Sequence, residues 1–212
     1  MSGLEDERAI VRRAISGDTG ALGALLEKHE PRLRRMVALR LDERLRGRVD
    51  PADVVQECYT KLLATLERFL QKDGLSFFVW LHLETGDHLR DVHRRHLAAQ
   101  ARDVRAEVPL FVHGGSGASS FALTSAILDG RNTPSRAAIR DEQRQQLLEA
   151  VEEMKELDRE VLMLRSFEQL TNKEVAQVLG VTESTATLRY VRALERLRET
   201  LVRLELAPEG SG

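Results

Sequence analysis

Residues 170–201 read LTNKEVAQVLGVTESTATLRYVRALERLRETL, which parses as two helices around a tight turn. Thr171 and Glu174 have the S/T-x-x-E spacing of a capping box, predicting a helix from about Asn172. Val175, Val178 and Leu179 give that helix one apolar face. Gly180 stands where a left-handed residue ends a helix at little cost. Thr182, after Val181, can cap the next helix through its hydroxyl. Ala186, Tyr190, Ala193, Leu194, Leu197 and Leu201 then recur at helical spacing. A short helix, a glycine turn and a longer helix make a helix-turn-helix, whose second helix is shaped to enter a DNA major groove.

Opposite that stripe lie Ser184, Leu188, Arg192, Glu195 and Glu199, flanked by Arg189 and Arg196. Arginine neutralises phosphates or grips guanine, and Ser184 can bond base or backbone. Leu188 has no reason to face water and suits a thymine methyl. The ordinary alternative is a solvated hairpin of some other bundle with one stray surface leucine. The capping box, the glycine turn and the arginines together favour DNA.

Composition sets the frame around this stretch. The 212 residues allow one or two domains with real cores, and 4% aromatic with 31% charged residues predicts an all-α protein. A formal net charge of −2 excludes a general polyanion binder. Basic surface must be local, which favours sequence-selective or partner-assisted DNA binding over coating. Cys58 stands alone, so neither a disulfide framework nor a thiolate zinc site is expected. No apolar run approaches the ~18 residues of a membrane span, and the acidic start LEDE is unlike a signal peptide. A cytoplasmic location without membrane insertion is expected.

Upstream of the helix-turn-helix, Leu157-Asp158 opens a helix over DREVLMLRSF. Before it, RAAIRDEQRQQLLEAVEEM carries Ile139, Leu147, Leu148 and Val151 at helical spacing from Pro134-Ser135 onward. Glycine, serine and proline dominate 107–135, as in a flexible linker, although SSFALTSAIL could make a short helix. The expected organisation is a helical N-terminal domain over 5–105, a linker over 106–135, a C-terminal domain over 136–204 and a disordered tail over 205–212.

The N-terminal half reads as helices broken at Gly17-Asp18, with Pro31 either starting a fresh helix or kinking one. Asp50-Pro51 is a cap followed by proline at the first helical position, opening a helix through ADVVQECYTKLLATLERFL. Val54, Val55, Cys58, Leu62, Thr65, Leu66 and Phe69 form its buried side, leaving Asp53, Gln56, Glu57 and Lys61 outside. Such a face ordinarily just solvates a helix, and it can also dock a basic partner. Phe77, Phe78, Trp80 and Leu81 precede a basic run with Arg90, His93, Arg94, Arg95, His96, Arg102 and Arg105. Aromatics followed by cations suit single-stranded nucleic acid, while the plain alternative places the aromatics in a core. His82, His88, His93 and His96 lack the carboxylate spacing of H-E-x-x-H, so no metal is expected. Nothing marks a nucleophile, a phosphate loop or a paired-carboxylate site, so neither catalysis nor a cofactor is expected.

The blocks DPADVVQECYTKLL, FFVWL with the following DVHRR, and LDREVLMLRSFEQLTNKEVAQVLGVTESTATLRYVRALERLR, in that order, resemble the extracytoplasmic-function (ECF) sigma factors of bacterial RNA polymerase. The DVVQE and LRYVRALERL segments and the Ser/Gly-rich linker also look like those of Planctomycete-type bacteria. The resemblance covers nearly the whole chain and implies two helical domains joined by a flexible linker. It implies that Asp53, Gln56 and Glu57 meet the polymerase β′ clamp helices. Phe77, Trp80, Arg90, His93, Arg94 and Arg95, on the helix that contains Asp91, would open and read the −10 element. Ser184, Thr187, Leu188, Arg189 and Arg192 would read the −35 element. Implied partners are core polymerase, including its β flap, promoter DNA, and an anti-sigma factor or another regulator. The chain departs from the family's pattern at Gly86 and Asp87, where a basic residue and Asn are common, and at Thr187, where Lys is common. Two other readings stay open: a stand-alone helix-turn-helix regulator with an effector-binding or dimerising N-terminal half, and a metal enzyme using the histidines.

Overall fold

The computed structural model describes residues 2–18, 20–100, 120–129 and 146–205. Expectations for 106–119 and 130–135, for Arg102, Arg105 and Ile139, and for the tail from 206 onward lie outside them. The described residues are helical with no strand among them, the all-α class expected. They form two compact units, the first made of the described residues up to 100 together with Gln177–Leu179, the second of those from 120 onward without that turn.

The first unit begins with α1 (Ser2–Ile15), which ends at Gly17 with a φ of 104°. Helix α2 (Gly20–Arg40) runs straight through Pro31. Leu22, Leu25, His29, Leu33, Met36 and Val37 keep one buried face on both sides of that exposed proline, so packing holds the helix together across the lost hydrogen bond. Helix α3 (Pro51–Leu62) starts where expected, with the Asp50 carboxylate accepting the Ala52 N–H at 2.8 Å. It stops earlier than expected. A 3-10 turn at Leu63–Thr65 separates it from α4 (Leu66–Leu70). There the Thr65 hydroxyl donates to the Leu62 carbonyl at 3.2 Å, a side-chain bond that competes with the helical ladder.

Helix α5 (Phe77–Gln100) is held at its first turn from two directions. Ser76 Oγ accepts the Val79 N–H at 3.2 Å, and Glu7 of α1 accepts the Phe77 N–H at 3.2 Å. A carboxylate at a helix N-terminus meets both free N–H groups and the positive end of the dipole. Burial works against the Glu7 carboxylate, but the hydrogen bonds from His29 and from the Phe77 N–H prevail and hold its pKa below the ordinary value. The core is aromatic where α4 meets α5: Phe69 and Phe77 pack edge to face at 5.2 Å, and Trp80 lies 5.5 Å from Phe69.

The second unit contains α6 (Ser120–Asp129), α7 (146–152), α8 (Glu156–Leu162), α9 (Asn172–Leu179) apart from its last turn, and α10 (Glu183–Glu205). The α6 segment, read as linker with an optional helix, is helical and packs against α8 with Ala122, Leu123 and Ala126 buried. Helix α8 continues into a π turn over Met163–Phe167. The capping box is formed: Glu174 Oε2 accepts the Thr171 N–H at 2.8 Å, and Thr171 Oγ1 accepts the Glu174 N–H at 3.2 Å. Gly180 has a φ of 63°, and the Val181 N–H reaches back to the Ala176 carbonyl at 2.9 Å, the long bond of a Schellman motif. Thr182 Oγ1 then accepts the Thr185 N–H at 3.2 Å and opens α10.

Candidate nucleic-acid interface and docking face

Helix α10 buries a narrow edge. Ala186 and Ala193 are 1% and 0% exposed, and their small side chains let α10 lie close against α8. Leu194, expected on the buried stripe, is 42% exposed instead. One supporting helix covers only an arc, and Leu194 is turned about 100° beyond Ala193. Val191 and Val202 are exposed as well.

The outward residues are those expected. Ser184, Thr187, Leu188 and Arg192 are exposed and Arg189 is half-buried, with Leu188 at 49%. Thr187 donates its hydroxyl to the Glu183 carbonyl at 2.9 Å, so toward solvent it offers an acceptor and a methyl group. Ser184 Oγ lies 3.1 Å from Thr182 Oγ1.

The arginines of α10 divide into two kinds. Arg196 is bonded to Asp158, a carboxylate only 9% exposed on α8, and Arg203 is bonded to Glu153. Arg189 and Arg192 form no ion pair among the described residues. Arg196, which flanked the outward face in the sequence, is therefore structural, while the charges of Arg189 and Arg192 meet no carboxylate among the described residues.

In the first unit, Phe77 and Trp80 are 0% and 2% exposed. Each packs against Phe69 and against the other, so neither ring faces solvent in the free chain. His93 is held within the fold as well. Its Nε2 accepts the Asp42 N–H at 3.2 Å, tying α5 to the end of α2. Burial first, then the charge of Arg44, pushes the His93 pKa down, and a neutral ring is what an acceptor nitrogen requires.

Arg94 and Arg95 are exposed and Arg90 is half-buried, and each has an acidic partner. Arg90 pairs with Asp87 and Arg94 with Asp91, both at i,i+3 spacing. That spacing was legible in the sequence. It gives Asp87, one of the departures from the family's pattern, a local role. Arg95 instead pairs across to Glu57 of α3, with Nη2 3.5 Å from Oε2.

Asp53, Gln56 and Glu57 all face outward from α3, opposite the buried Val54, Val55, Cys58, Tyr59 and Leu62. Glu57 is engaged: His88 Nε2 lies 3.2 Å from its Oε2, and Lys61 Nζ lies 3.0 Å from His88 Nδ1. No sequence spacing announced this cross-helix cluster. Cys58 packs against Thr85, and burial raises its thiol to about 11, so it is an inert core residue. Among the described residues no group of His, Cys, Asp or Glu could hold a metal ion, and no helix is long and apolar enough to cross a membrane.

Residues 144–197, which contain the whole helix-turn-helix through most of α10, match the family described as Sigma-70, region 4. Over nearly the full chain, similarity extends to curated bacterial proteins. The RNA polymerase sigma-H factor of Pseudomonas aeruginosa is 26% identical across 93% of this chain and 94% of its own length. The ECF RNA polymerase sigma factor SigD of Mycobacterium bovis is 26% identical across 94% and 86%. The ECF RNA polymerase sigma-E factor of Escherichia coli K12 is 25% identical across 93% and 95%. The fold is like that of CnrH, solved in complex with the cytosolic domain of CnrY, with a TM-score of 0.51 and 21% identity over 92% of this chain and 97% of that one. Residues 144–197 thus carry a Sigma-70 region 4 helix-turn-helix, and over nearly its whole length the chain is similar to the ECF sigma factors of bacterial RNA polymerase.

Proposed function

We propose that this sigma factor docks on the β′ clamp helices of core polymerase through Asp53, Gln56 and Glu57. It presents Arg90, Arg94 and Arg95 of α5 to the unpaired −10 strand. It reads the −35 element with Ser184, Thr187 and Leu188 of α10, while Arg189 and Arg192 hold phosphates. The observation that carries this reading is the division of the α10 arginines. Arg196 and Arg203 are spent on Asp158 and Glu153, whereas Arg189 and Arg192, beside the exposed Leu188, have no ion-pair partner among the described residues.

Phe77, Trp80 and His93 enter as the frame that fixes α5, not as contacts. The domain limits follow the same division of labour: 5–105 for docking and the −10 element, and 136–204 together with α6, packed on α8, for the −35 element and the β flap, which confines the linker to residues before α6. The chain supplies recognition and the polymerase supplies the chemistry, which places its work in the cytoplasm. A regulator that covers α3 or α10 would silence it, a reading supported by CnrH, similar in fold, having been solved in complex with the cytosolic domain of CnrY.

Docking is tested by placing positive charge at Asp53 and Gln56 (Asp53→Lys, Gln56→Lys) and titrating the full chain with core polymerase. Complementary charge sets association rate and register, so the double variant should bind core more weakly with unchanged helicity. Equal affinity in a folded double variant would refute the docking face.

A further inference from the structure

Glu57 belongs to two proposed surfaces at once. It sits on the α3 face assigned to polymerase, and it holds Arg95 of the α5 face assigned to DNA. We propose that Glu57 couples docking to promoter binding: in the free chain it holds Arg95, and on core polymerase it exchanges that arginine for a basic side chain of the clamp, releasing Arg95 to the DNA strand. The inference rests on the reading of α3 and α5 given above.

The geometry makes Glu57 a positioned carboxylate. Lys61 is a pure donor, so the His88 nitrogen beside it, 3.0 Å away, accepts and the proton resides on Nε2. That nitrogen faces Glu57 Oε2 at 3.2 Å. Burial first, then the Lys61 charge, lowers the His88 pKa and keeps the ring neutral. Lys61, His88, Glu57 and Arg95 thus form a chain of contacts from α3 to α5. Arg90 and Arg94 differ in kind, because their carboxylates ride on α5 itself. Arg95 is held from the helix that docks.

Both side chains of the Glu57–Arg95 pair are more than half exposed, at 55% and 58%, so the pair exchanges partners readily. A clamp cation arriving at Glu57 competes for the same oxygen and repels Arg95. A phosphate strand beside α5 is the alternative partner for the displaced guanidinium. In the free chain Asp87, Asp91 and Glu57 balance Arg90, Arg94 and Arg95, so this face has little pull on DNA before docking.

The test is fluorescence anisotropy of a labelled single-stranded DNA oligonucleotide of mixed sequence, titrated with full-length chain alone and with holoenzyme over core polymerase. Glu57→Gln should raise the affinity of the free chain by up to about fivefold, the scale of one exposed pair. It should also steepen the log–log salt dependence by somewhat less than one unit. The gain should vanish when Arg95→Gln is added. An unchanged free-chain affinity for Glu57→Gln, or a gain that survives Arg95→Gln, overturns the coupling. Failure of the underlying reading shows separately: if Arg95→Gln leaves holoenzyme affinity unchanged, Arg95 is not a DNA contact and the coupling falls with it. If Arg95→Gln weakens the holoenzyme while Glu57→Gln leaves the free chain unaltered, only the coupling is overturned.

Discussion

Alanine at Arg192 and alanine at Arg196 remove the same charge from one helix, about a turn apart, and should have opposite consequences. Arg196 is bonded to Asp158, whose side chain is 9% exposed, while its own is 49% exposed. Breaking a fully buried pair costs about 3–5 kcal/mol and losing an exposed pair at most about 1. A pair buried on one side falls between, so Arg196→Ala should cost about 1–2 kcal/mol. With a urea dependence of about 2 kcal/mol per molar, the middle of the usual range, the unfolding midpoint drops by roughly 0.5–1 M. Arg192 is exposed without an ion pair among the described residues, so Arg192→Ala should stay within about 0.5 kcal/mol of the parent. Its effect belongs to DNA: losing one phosphate contact should weaken holoenzyme binding across all −35 variants and flatten the salt dependence by about 0.9 unit. Urea unfolding and salt-titrated promoter binding measure the two variants side by side. If Arg196→Ala flattens the salt dependence at full stability while Arg192→Ala destabilises, α10 is rotated from the orientation described and the −35 assignment fails.

Leu188→Ala should change base preference at one −35 position by on the order of 1 kcal/mol, read by holoenzyme binding to single-base variants, because only base-edge contacts specify. An alanine at Gly180 meets no neighbour within 4 Å but must adopt a φ of 63°, so Gly180→Ala should cost about 1 kcal/mol in urea unfolding, all of it backbone strain. Trp80→Ala should cost about 3–5 kcal/mol and lose open complexes only in step with unfolding, since the ring is core; a stable variant that no longer melts DNA would return Trp80 to the interface. The folded chain holds the His88 and His93 pKa values below 6.5, so between those values and 6.5 it binds fewer protons than the unfolded chain. This contribution to stability is complete above about pH 6.5 and is lost as pH falls through and below it. The urea midpoint should therefore decline from about pH 7.5 to 5.5, and His93→Gln should remove part of that slope.

The helix-turn-helix was legible nearly atom by atom, because each of its signals is local. The Thr171–Glu174 box, the left-handed Gly180 and the Thr182 cap involve residues at most five apart in sequence. The start of α3 was legible for the same reason, since Asp50 and Pro51 are a cap and a first-turn proline. What sequence could not give was the partner of a side chain on another helix. Arg196 and Arg192 look alike until Asp158, 38 residues away, claims one of them. His93 looked like a cation on a basic run until the Asp42 N–H, 51 residues away, made it an acceptor. Phe77 and Trp80 fit a stacking platform and a core equally well by type, and only the position of Phe69 on α4 decides for the core. The end of α3 turned on one competing hydroxyl, that of Thr65, which propensity does not resolve.

The central claim is that this chain gives core polymerase a promoter. The most direct measurement is transcription in vitro from a randomised promoter library, with core polymerase in the presence and absence of the full-length chain, followed by sequencing of the transcript starts. Initiation should depend on the chain and enrich two sequence blocks at a fixed spacing upstream of the start. The upstream block alone should change its preference in Leu188→Ala, and the downstream block alone should lose occupancy in Arg94→Gln with Arg95→Gln. Initiation no different from core alone, together with binding of the chain to palindromic sites without polymerase, would contradict it.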